Sequence, residues 1–375
     1  MWLYNSLLVF IGLTKIIYKN NQHEEMYNST CIKKSGSLTI NAKKLYMIIV
    51  FFPLLIVSAL RSVNIGNDTD TYHYIFNIST YTSFNDFIEM NAHRWEKGFL
   101  AFTKLISSIS DNPQVLIAIS SIISLFFVGR FIYLYSKKPA LSVFLFITMR
   151  FYFFFMSNIR QSIALGLILF SYDFIKKKKI IPFSIVILIA AQFHSTAIVF
   201  FLAYFIDKIK YSKKYLIGSV LITGLIFIEF DSFMKIILTV SPDKYMNYVN
   251  TSYYIDATNV ANVANFATTL AVLFLSYMFK YYKNSDKSEI SFYYLLVAVC
   301  LGLLSIKFGM LSRIQHYFYI FSIVLIPNMM TKSNDKYTKL ITGFIIVICF
   351  FLYHLIILAL RPEWQNVYPY ELFFN

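Results

Sequence analysis

Long apolar runs recur along this chain, and they constrain its fold more than any other feature of the sequence. A bilayer core of about 30 Å is crossed by about 17–25 apolar residues in a helix. Hydrophobic residues make up 58% of the 375 residues and charged residues only 14%, whereas an ordinary globular chain has about 25% charged residues. The sequence therefore predicts an all-α polytopic membrane protein. The predicted spans begin near Trp2, Leu45, Pro113, Pro139, Asn158, Leu216, Ala261, Ile290, Arg313 and Leu340.

One further apolar stretch, from Ile180 to Ile206, has a lysine cluster on each side. Lysines near the ends of spans stay on the cytoplasmic side of a membrane, so a single crossing would place one cluster on the wrong face. A short helical hairpin that turns at His194 keeps both clusters inside. With its two arms the sequence predicts about twelve transmembrane helices in a single integral membrane domain over residues 1–375, with both termini outside.

The net charge of +15 follows from this topology, because most lysines and arginines then lie in cytoplasmic segments. We therefore expect membrane lipids rather than nucleic acid as partners of the basic surface. The long outer segments are residues 61–112, with an amphipathic helix expected around Phe99, and residues 231–262, where Tyr245 to Tyr254 are aromatic-rich. We expect no metal and no cofactor, since the sequence has neither ligand clusters at metal-binding spacing nor a phosphate-binding loop.

Polar residues on the predicted outer side are the candidate functional residues. An ionisable group at membrane depth is costly and is therefore a candidate by default. Each also has a simpler interpretation: a solvated loop for the acids, a lipid headgroup contact for the arginines, an interfacial anchor for Trp95 and a structural role for His194. The candidates are Arg61, Asp68, Asp70, Tyr72, Glu96, Arg160, Gln161, His194, Arg313 and Tyr317.

Four of the predicted outer cations, Arg61, Arg160, Lys307 and Arg313, suggest an anionic substrate. The planar fork of a guanidinium binds phosphate oxygens in pairs, and a helix start such as that near Arg160 adds backbone N–H donors. This pattern suits a lipid-linked substrate that carries a diphosphate.

Five short motifs resemble those of the EpsG/Wzy family of bacterial exopolysaccharide and O-antigen polymerases, over about residues 45–320. The motifs are Gly66-x-Asp68-Thr-x-x-Tyr72, Glu96-x-Gly98-Phe99, Ile159-Arg160-Gln161, Phe193-His194-Ser195 and Arg313-x-x-x-Tyr317. The resemblance implies a GT-C-like glycosyltransferase in the bacterial cytoplasmic (inner) membrane. Such an enzyme transfers a glycan from undecaprenyl diphosphate onto the next lipid-linked repeat unit at the periplasmic face, in O-antigen or exopolysaccharide synthesis.

The resemblance also implies roles for individual residues. Asp68, His194, Arg160 and Arg313 are expected to be catalytic, with either Asp68 or His194 as the general base. Substrate binding is expected of Arg61, Tyr72, Glu96, Gln161, Tyr317 and Asp70. Relatives usually lack a second acid at the position of Asp70, so the choice between Asp68 and Asp70 stays open, although the motif places the family carboxylate on Asp68.

Two other classes of protein fit the same features. A lipid-linked oligosaccharide flippase needs outer cations as well, although it should also carry polar groups that are accessible from both faces. An O-antigen ligase or a sugar acyltransferase is the other alternative. The expected substrate in the polymerase interpretation is an undecaprenyl-diphosphate-linked oligosaccharide, and a chain-length regulator is a candidate protein partner.

Overall fold

The computed structural model describes residues 1–15, 41–240, 260–283, 290–332 and 335–374. Within these ranges the elements are helices, apart from an isolated backbone bridge between Arg61 and Leu372. The all-α, multi-pass character that the composition predicts is confirmed.

The first half of the described chain contains eleven α-helices. They are α1 (residues 2–15), α2 (Ala42–Ala59), α3 (Thr69–Tyr81), α4 (Phe84–Asn91), α5 (Lys97–Ser107), α6 (Gln114–Tyr135), α7 (Pro139–Thr148), α8 (Phe151–Ser157), α9 (Ile159–Lys176), α10 (Ile180–Phe193) and α11 (Phe201–Ile206). A 3₁₀ turn, Ser195–Phe200, lies between α10 and α11.

The second half follows the same helical pattern. It contains α12 (Lys213–Ile228), α13 (Phe230–Val240), α14 (Val260–Met278), α15 (Phe292–Ser305), α16 (Leu311–Tyr319), α17 (Ser322–Met330) and α18 (Lys336–Leu360). Short 3₁₀ turns cover Tyr281–Lys283 and Pro362–Trp364. Of the predicted outer segment 231–262, α13 covers the start and α14 the end, whereas Tyr245 to Tyr254 lie outside the described residues.

Four of the described helices are long and apolar enough to cross a bilayer: α2, α6, α14 and α18. Two bent pairs raise this number to six if each pair is one span, α7 with α8 at 54° and α12 with α13 at 89°. The twelve predicted crossings are therefore not confirmed. The difference arises because several apolar runs are interrupted: at Arg150 between α7 and α8, at His194 after α10, and between α16 and α17.

The predicted hairpin between Ile180 and Ile206 is present as two short arms that pack against each other. The helix α10 ends at Phe193, His194 takes an extended conformation with φ −152° and ψ 110°, and the chain turns into the 3₁₀ segment that begins at Ser195. With 14 residues, α10 rises about 21 Å at about 1.5 Å per residue, less than a bilayer core. The turn of the hairpin is thereby brought inside the protein.

The segment 61–112, which the sequence predicts to lie outside, folds into a small helical unit made of α3, α4 and α5. Its apolar side chains, among them Phe76, Phe87 and Phe99, are fully buried against one another and against the membrane helices. The amphipathic helix expected around Phe99 is α5. The Lys104 ammonium donates hydrogen bonds to the carbonyls of Ser79 and Thr82 at 2.6 and 2.7 Å, which satisfies acceptors at the end of α3.

The C-terminal tail folds back over the loop that follows α2. The Ser62 amide donates to the carbonyl of Glu371 at 2.9 Å and the Gly66 amide to that of Asn366 at 2.8 Å. Gly66 has φ +95°, and a Cβ there would lie 2.8 Å from the carbonyl oxygen of Met156, so this close approach requires glycine. The tail, the loop and the start of α3 therefore lie at one end of the bundle.

Ion pairs join the helices at the opposite end of α6 and α9. Asp173 accepts hydrogen bonds from Arg130 and, at 2.6 Å, from the Tyr135 hydroxyl. Lys176 contacts Asp207 at 2.9 Å. These groups tie α6, α9 and the hairpin together about 20 Å along α9 from its first turn, at about 1.5 Å per residue.

Replacing Gly98 tests the close packing of α5 on the hairpin. A Cβ at Gly98 would lie 2.4 Å from Cβ of Gln192, so Gly98→Ala should destabilise the fold by about 1–3 kcal/mol, the usual cost of overpacking. Gly218→Ala in α12 is the matched control, because nothing lies within 4 Å of its Cβ position. Thermal unfolding of the purified protein in detergent measures both. Equal melting temperatures for the two variants would contradict the packing of α5 against α10.

Candidate functional site

A cavity of about 210 Å³ lies at the end of the bundle that carries the loop after α2. Five parts of the chain meet there: the start of α3, the turn before α5, the junction of α8 and α9, the hairpin turn and the first turn of α16. Each is a helix start or a break, where side chains and unpaired backbone groups can point inward. The lining residues are Asp68, Thr71, Tyr72, Arg94, Trp95, Asn158, Arg160, Gln161, His194 and Arg313.

Arg160 lies in the first turn of α9 and its guanidinium is fixed from two sides. Its Nη1 donates to Oε2 of Glu96 at 2.6 Å, and its Cζ lies 4.4 Å from the ring centroid of Trp95. A charge-assisted hydrogen bond and a cation–π contact hold a guanidinium more firmly than either contact alone. Nε of Arg160 is buried without a hydrogen-bond partner among the described residues, so a donor remains for a ligand.

Glu96 does not line the cavity but holds two of the residues that do. Its Oε2 takes the Arg160 hydrogen bond, while Oε1 accepts the backbone N–H of Ser195 at 3.0 Å and lies 3.9 Å from Nδ1 of His194. Burial works against ionisation of the carboxyl, but Arg160 and the Ser195 amide outweigh it and lower the pKa of Glu96. An ionised Glu96 thus links α5, α9 and the hairpin turn.

The imidazole of His194 is buried at the wall of the cavity, with 7% of the residue exposed. Neither ring nitrogen has a hydrogen-bond partner among the described residues. Buried polar atoms are normally hydrogen-bonded. The hydrogen-bonding capacity of the two nitrogens is therefore unused at the wall of the cavity.

Asp68 immediately precedes α3, yet its side chain makes no hydrogen bond to the backbone of that helix. Burial raises the pKa of Asp68, and the nearby guanidinium groups of Arg313 and Arg160 oppose this rise in part. A carboxylate whose pKa lies above its usual range is a stronger base than an exposed one. Asp68 is thus an acid–base group beside two cations.

Arg313 reaches the cavity from α16, and two hydrogen bonds fix that helix. The side-chain amide of Gln161 donates to the carbonyl of Arg313 at 2.7 Å. One turn further on, the Tyr317 hydroxyl is 2.9 Å from Oγ1 of Thr196 in the hairpin. With the contacts of Glu96, these bonds connect α5, α9, the hairpin and α16 around the cavity.

Six of the ten residues expected from the sequence line this one cavity: Asp68, Tyr72, Arg160, Gln161, His194 and Arg313. Two more, Glu96 and Tyr317, lie behind the wall and hold lining residues or their helices in place. Each of these two side chains is bonded to a neighbouring element, and the substrate contact expected of them stays a prediction.

Arg61 and Asp70 lie away from the cavity lining. Arg61 is fully buried and donates to the carbonyl of Ser58, because its side chain turns into the contact between α2 and α6. Asp70 is exposed and accepts the amide hydrogen of Thr71 at 2.7 Å. Lys307 does not line the cavity either; its ammonium lies 5.3 Å from the ring of Phe227.

Three lining residues, Thr71, Arg94 and Asn158, are absent from the sequence-based set, and Trp95 has a different place from the one expected. Arg94 could have been found from its position next to Trp95 and Glu96, since all three lie in the short turn that precedes α5. Trp95 is 7% exposed and supports Arg160, so it is a wall of the cavity rather than an interfacial anchor. The described residues contain no group of three His, Cys, Asp or Glu side chains that could hold a metal ion.

Comparison with known proteins identifies the family but no individual relative. The chain matches neither a curated protein nor a solved structure. The sequence model of the EpsG family matches residues 44–372, a range that contains every residue lining the cavity. The protein therefore belongs to the EpsG family, as the five sequence motifs predicted.

Proposed function

We propose that this EpsG-family protein is a polysaccharide polymerase. It transfers a glycan from undecaprenyl diphosphate to the next lipid-linked repeat unit at the outer face of the bacterial cytoplasmic membrane. The observation that carries the proposal is the convergence of Arg160 and Arg313 with Asp68 in one cavity at one end of the bundle.

The arginines are proposed to hold the diphosphate of the donor lipid. Arg313 and Arg160 lower the pKa of Asp68 more than Arg94 does, and Arg94 is an exposed residue that lines the same cavity. Negative charge grows on the diphosphate as the glycosidic bond breaks. Fixed cations that stabilise this charge without reorganising accelerate the reaction, and Glu96 provides the fixation for Arg160.

Asp68 is the proposed general base. A hydroxyl oxygen at the end of the acceptor repeat unit attacks the anomeric carbon of the donor and forms the new glycosidic bond. The bond from that carbon to the diphosphate oxygen breaks, its electron pair stays on the diphosphate, and the hydroxyl proton passes to Asp68. The raised pKa of Asp68 supports this role, whereas His194, with two available ring nitrogens, is the alternative base.

Glu96 and Gln161 are proposed to act through their neighbours. Glu96 sets the positions of Arg160 and of the hairpin turn with His194, and Gln161 sets the start of α16 with Arg313. Small displacements of such groups reduce catalysis strongly, because the reacting atoms must be held in line.

A flippase is less well supported than a polymerase. At the far end of α6 and α9 from the cavity, Asp173 with Arg130, and Lys176 with Asp207, join the helices. A flippase must make its lipid-linked sugar accessible from both faces, and these ion pairs hold the helices together at the face away from the cavity.

Deletion of the gene distinguishes the three candidate functions. Loss of a polymerase leaves single repeat units on the carrier or lipid core, whereas loss of a flippase leaves none and loss of an acyltransferase leaves full-length chains.

The membrane arrangement proposed here is a GT-C-like bundle with both termini outside. If the short and bent helices are counted as crossings, the chain has the twelve spans that the lysine distribution favours. They are α1, α2, α6, α7–α8, α9, α10, α11 with its 3₁₀ turn, α12, α14, α15, α16–α17 and α18. Membrane-impermeant labelling of single cysteines at Asn67 and at Lys177 would test it, with reaction expected only at Asn67.

Neutralising the arginines of the cavity should abolish long polymer. Arg313→Gln and Arg160→Gln each remove a cation from the diphosphate, so we expect turnover to fall about 10²-fold or more. Lys97→Gln is the matched control, because this exposed lysine begins α5 outside the cavity lining. The repeat-number distribution of the polymer, at equal protein level, measures the effect. Normal chain lengths in both arginine variants would refute the diphosphate assignment.

The acid limb of the pH profile should respond to Arg94. A base must be ionised, so activity falls as the pH drops through the pKa of Asp68. Arg94 is among the cations that lower this pKa; Arg94→Gln removes it, and the acid limb should move to higher pH. Initial polymerisation rates of purified enzyme between about pH 4 and 8 give the profile. An unmoved limb would count against Asp68 as the base.

A further inference from the structure

Arg150 carries a buried charge outside the cavity, at the bend between α7 and α8. It is 6% exposed, and its φ of 74° lies in the left-handed region. The side-chain amide of Gln365 donates to its carbonyl at 3.4 Å, which links this bend to the C-terminal tail. Nη1 and Nη2 of Arg150 have no hydrogen-bond partner among the described residues.

His354 of α18 lies beside Arg150 and is also buried with unpartnered side-chain nitrogens. It is fully buried, and neither of its ring nitrogens has a partner in the described ranges. Both side chains lie against the ring of Phe153. The guanidinium carbon of Arg150 is 4.4 Å from the ring centroid, and the imidazole stacks on the ring at 5.4 Å with an interplanar angle of 18°. Four donor or acceptor nitrogens therefore meet around one aromatic ring without a bonded partner.

The charge of Arg150 requires an anion. Burying a guanidinium without a counter-charge is strongly unfavourable, and the contact with Phe153 offsets only part of that cost. No described carboxylate forms a salt bridge with Arg150 among the ion pairs of the chain. Within the described residues the charge is therefore left without a counter-charge, and an anion bound there would remove this cost.

The surroundings favour a lipid phosphate as that anion. The bend lies under the C-terminal tail, next to the last two turns of α18, where Ile356 and Leu360 are 53% and 70% exposed. Apolar residues so exposed on a membrane helix face acyl chains, and the end of such a helix lies near the headgroups. A guanidinium fork matches the oxygens of a phosphate.

We propose that Arg150 and His354 form a second anion-binding site that takes the phosphate of a membrane lipid. Neither residue lines the cavity that contains Arg160 and Arg313, so this site is separate from the proposed polymerisation chemistry. A lipid held there would join α8, α18 and the tail, and the tail covers the loop that carries Asp68.

Thermal unfolding of the full chain, delipidated in a neutral detergent, tests the proposal with three probes: phosphatidylglycerol, a diacylglycerol with the same acyl chains, and inorganic phosphate. We expect phosphatidylglycerol to raise the melting temperature by several degrees, because a ligand that binds only the folded state stabilises it. Diacylglycerol should not. The same rise with inorganic phosphate alone would show a free anion and overturn the assignment to a lipid.

Two variants make the test specific to Arg150. Arg150→Gln should abolish the response to phosphatidylglycerol, whereas Arg361→Gln, at an exposed arginine just after α18, should retain it. If Arg150 is only an unpaired charge, Arg150→Gln should instead raise the melting temperature equally with and without lipid, and the proposal fails. Should Arg150→Gln not fold, His354→Leu takes its place, and native mass spectrometry must show loss of a bound phospholipid relative to the unmodified protein.

Discussion

The carboxylate of Glu96 is the contact on which the arrangement of the cavity depends. It accepts hydrogen bonds from Arg160 and from the backbone of Ser195, so that one side chain connects the unit of α3, α4 and α5 with the helix α9 and with the hairpin turn. Its negative charge offsets the charge of Arg160 in a partly buried site. The proposed polymerase chemistry therefore rests on a group that does not itself line the cavity.

The polar contacts around the cavity are concentrated where helices begin or break. Apolar side chains between helices can slide, because dispersion contacts have little directionality. Hydrogen bonds such as Gln161 to the carbonyl of Arg313, and Tyr317 to Thr196, fix the helices in register. The hairpin turn makes this possible, since a helix that continued through His194 would carry Ser195 and Thr196 away from Glu96 and Tyr317.

The helical fold, the hairpin and most of the residues that line the cavity could be predicted from the sequence. Apolar runs and lysine clusters indicate membrane helices and the hairpin because the bilayer restricts both, and motif spacing identified Asp68, Arg160, His194 and Arg313. The direction of a side chain could not be predicted: Arg61 turns into the contact between α2 and α6, and Glu96 pairs with a cation. Such outcomes depend on packing between segments distant in sequence. The number of continuous spans could not be predicted either, because an apolar run such as residues 139–157 can bend at a single residue, Arg150.

The covering of the Asp68 loop by the C-terminal tail has a consequence for biosynthesis. The side-chain amide of Asn366 donates to the carbonyl of Asn64 at 2.8 Å across a separation of 302 residues, and Gly66 and Ser62 bond to the same tail. A ribosome adds residues from the N-terminus onward, so the loop is inserted long before its cover exists. The loop before Asp68 gains these contacts only after residues 366–371 have been synthesised, so a chain that does not yet contain them lacks the bonds that fix this loop.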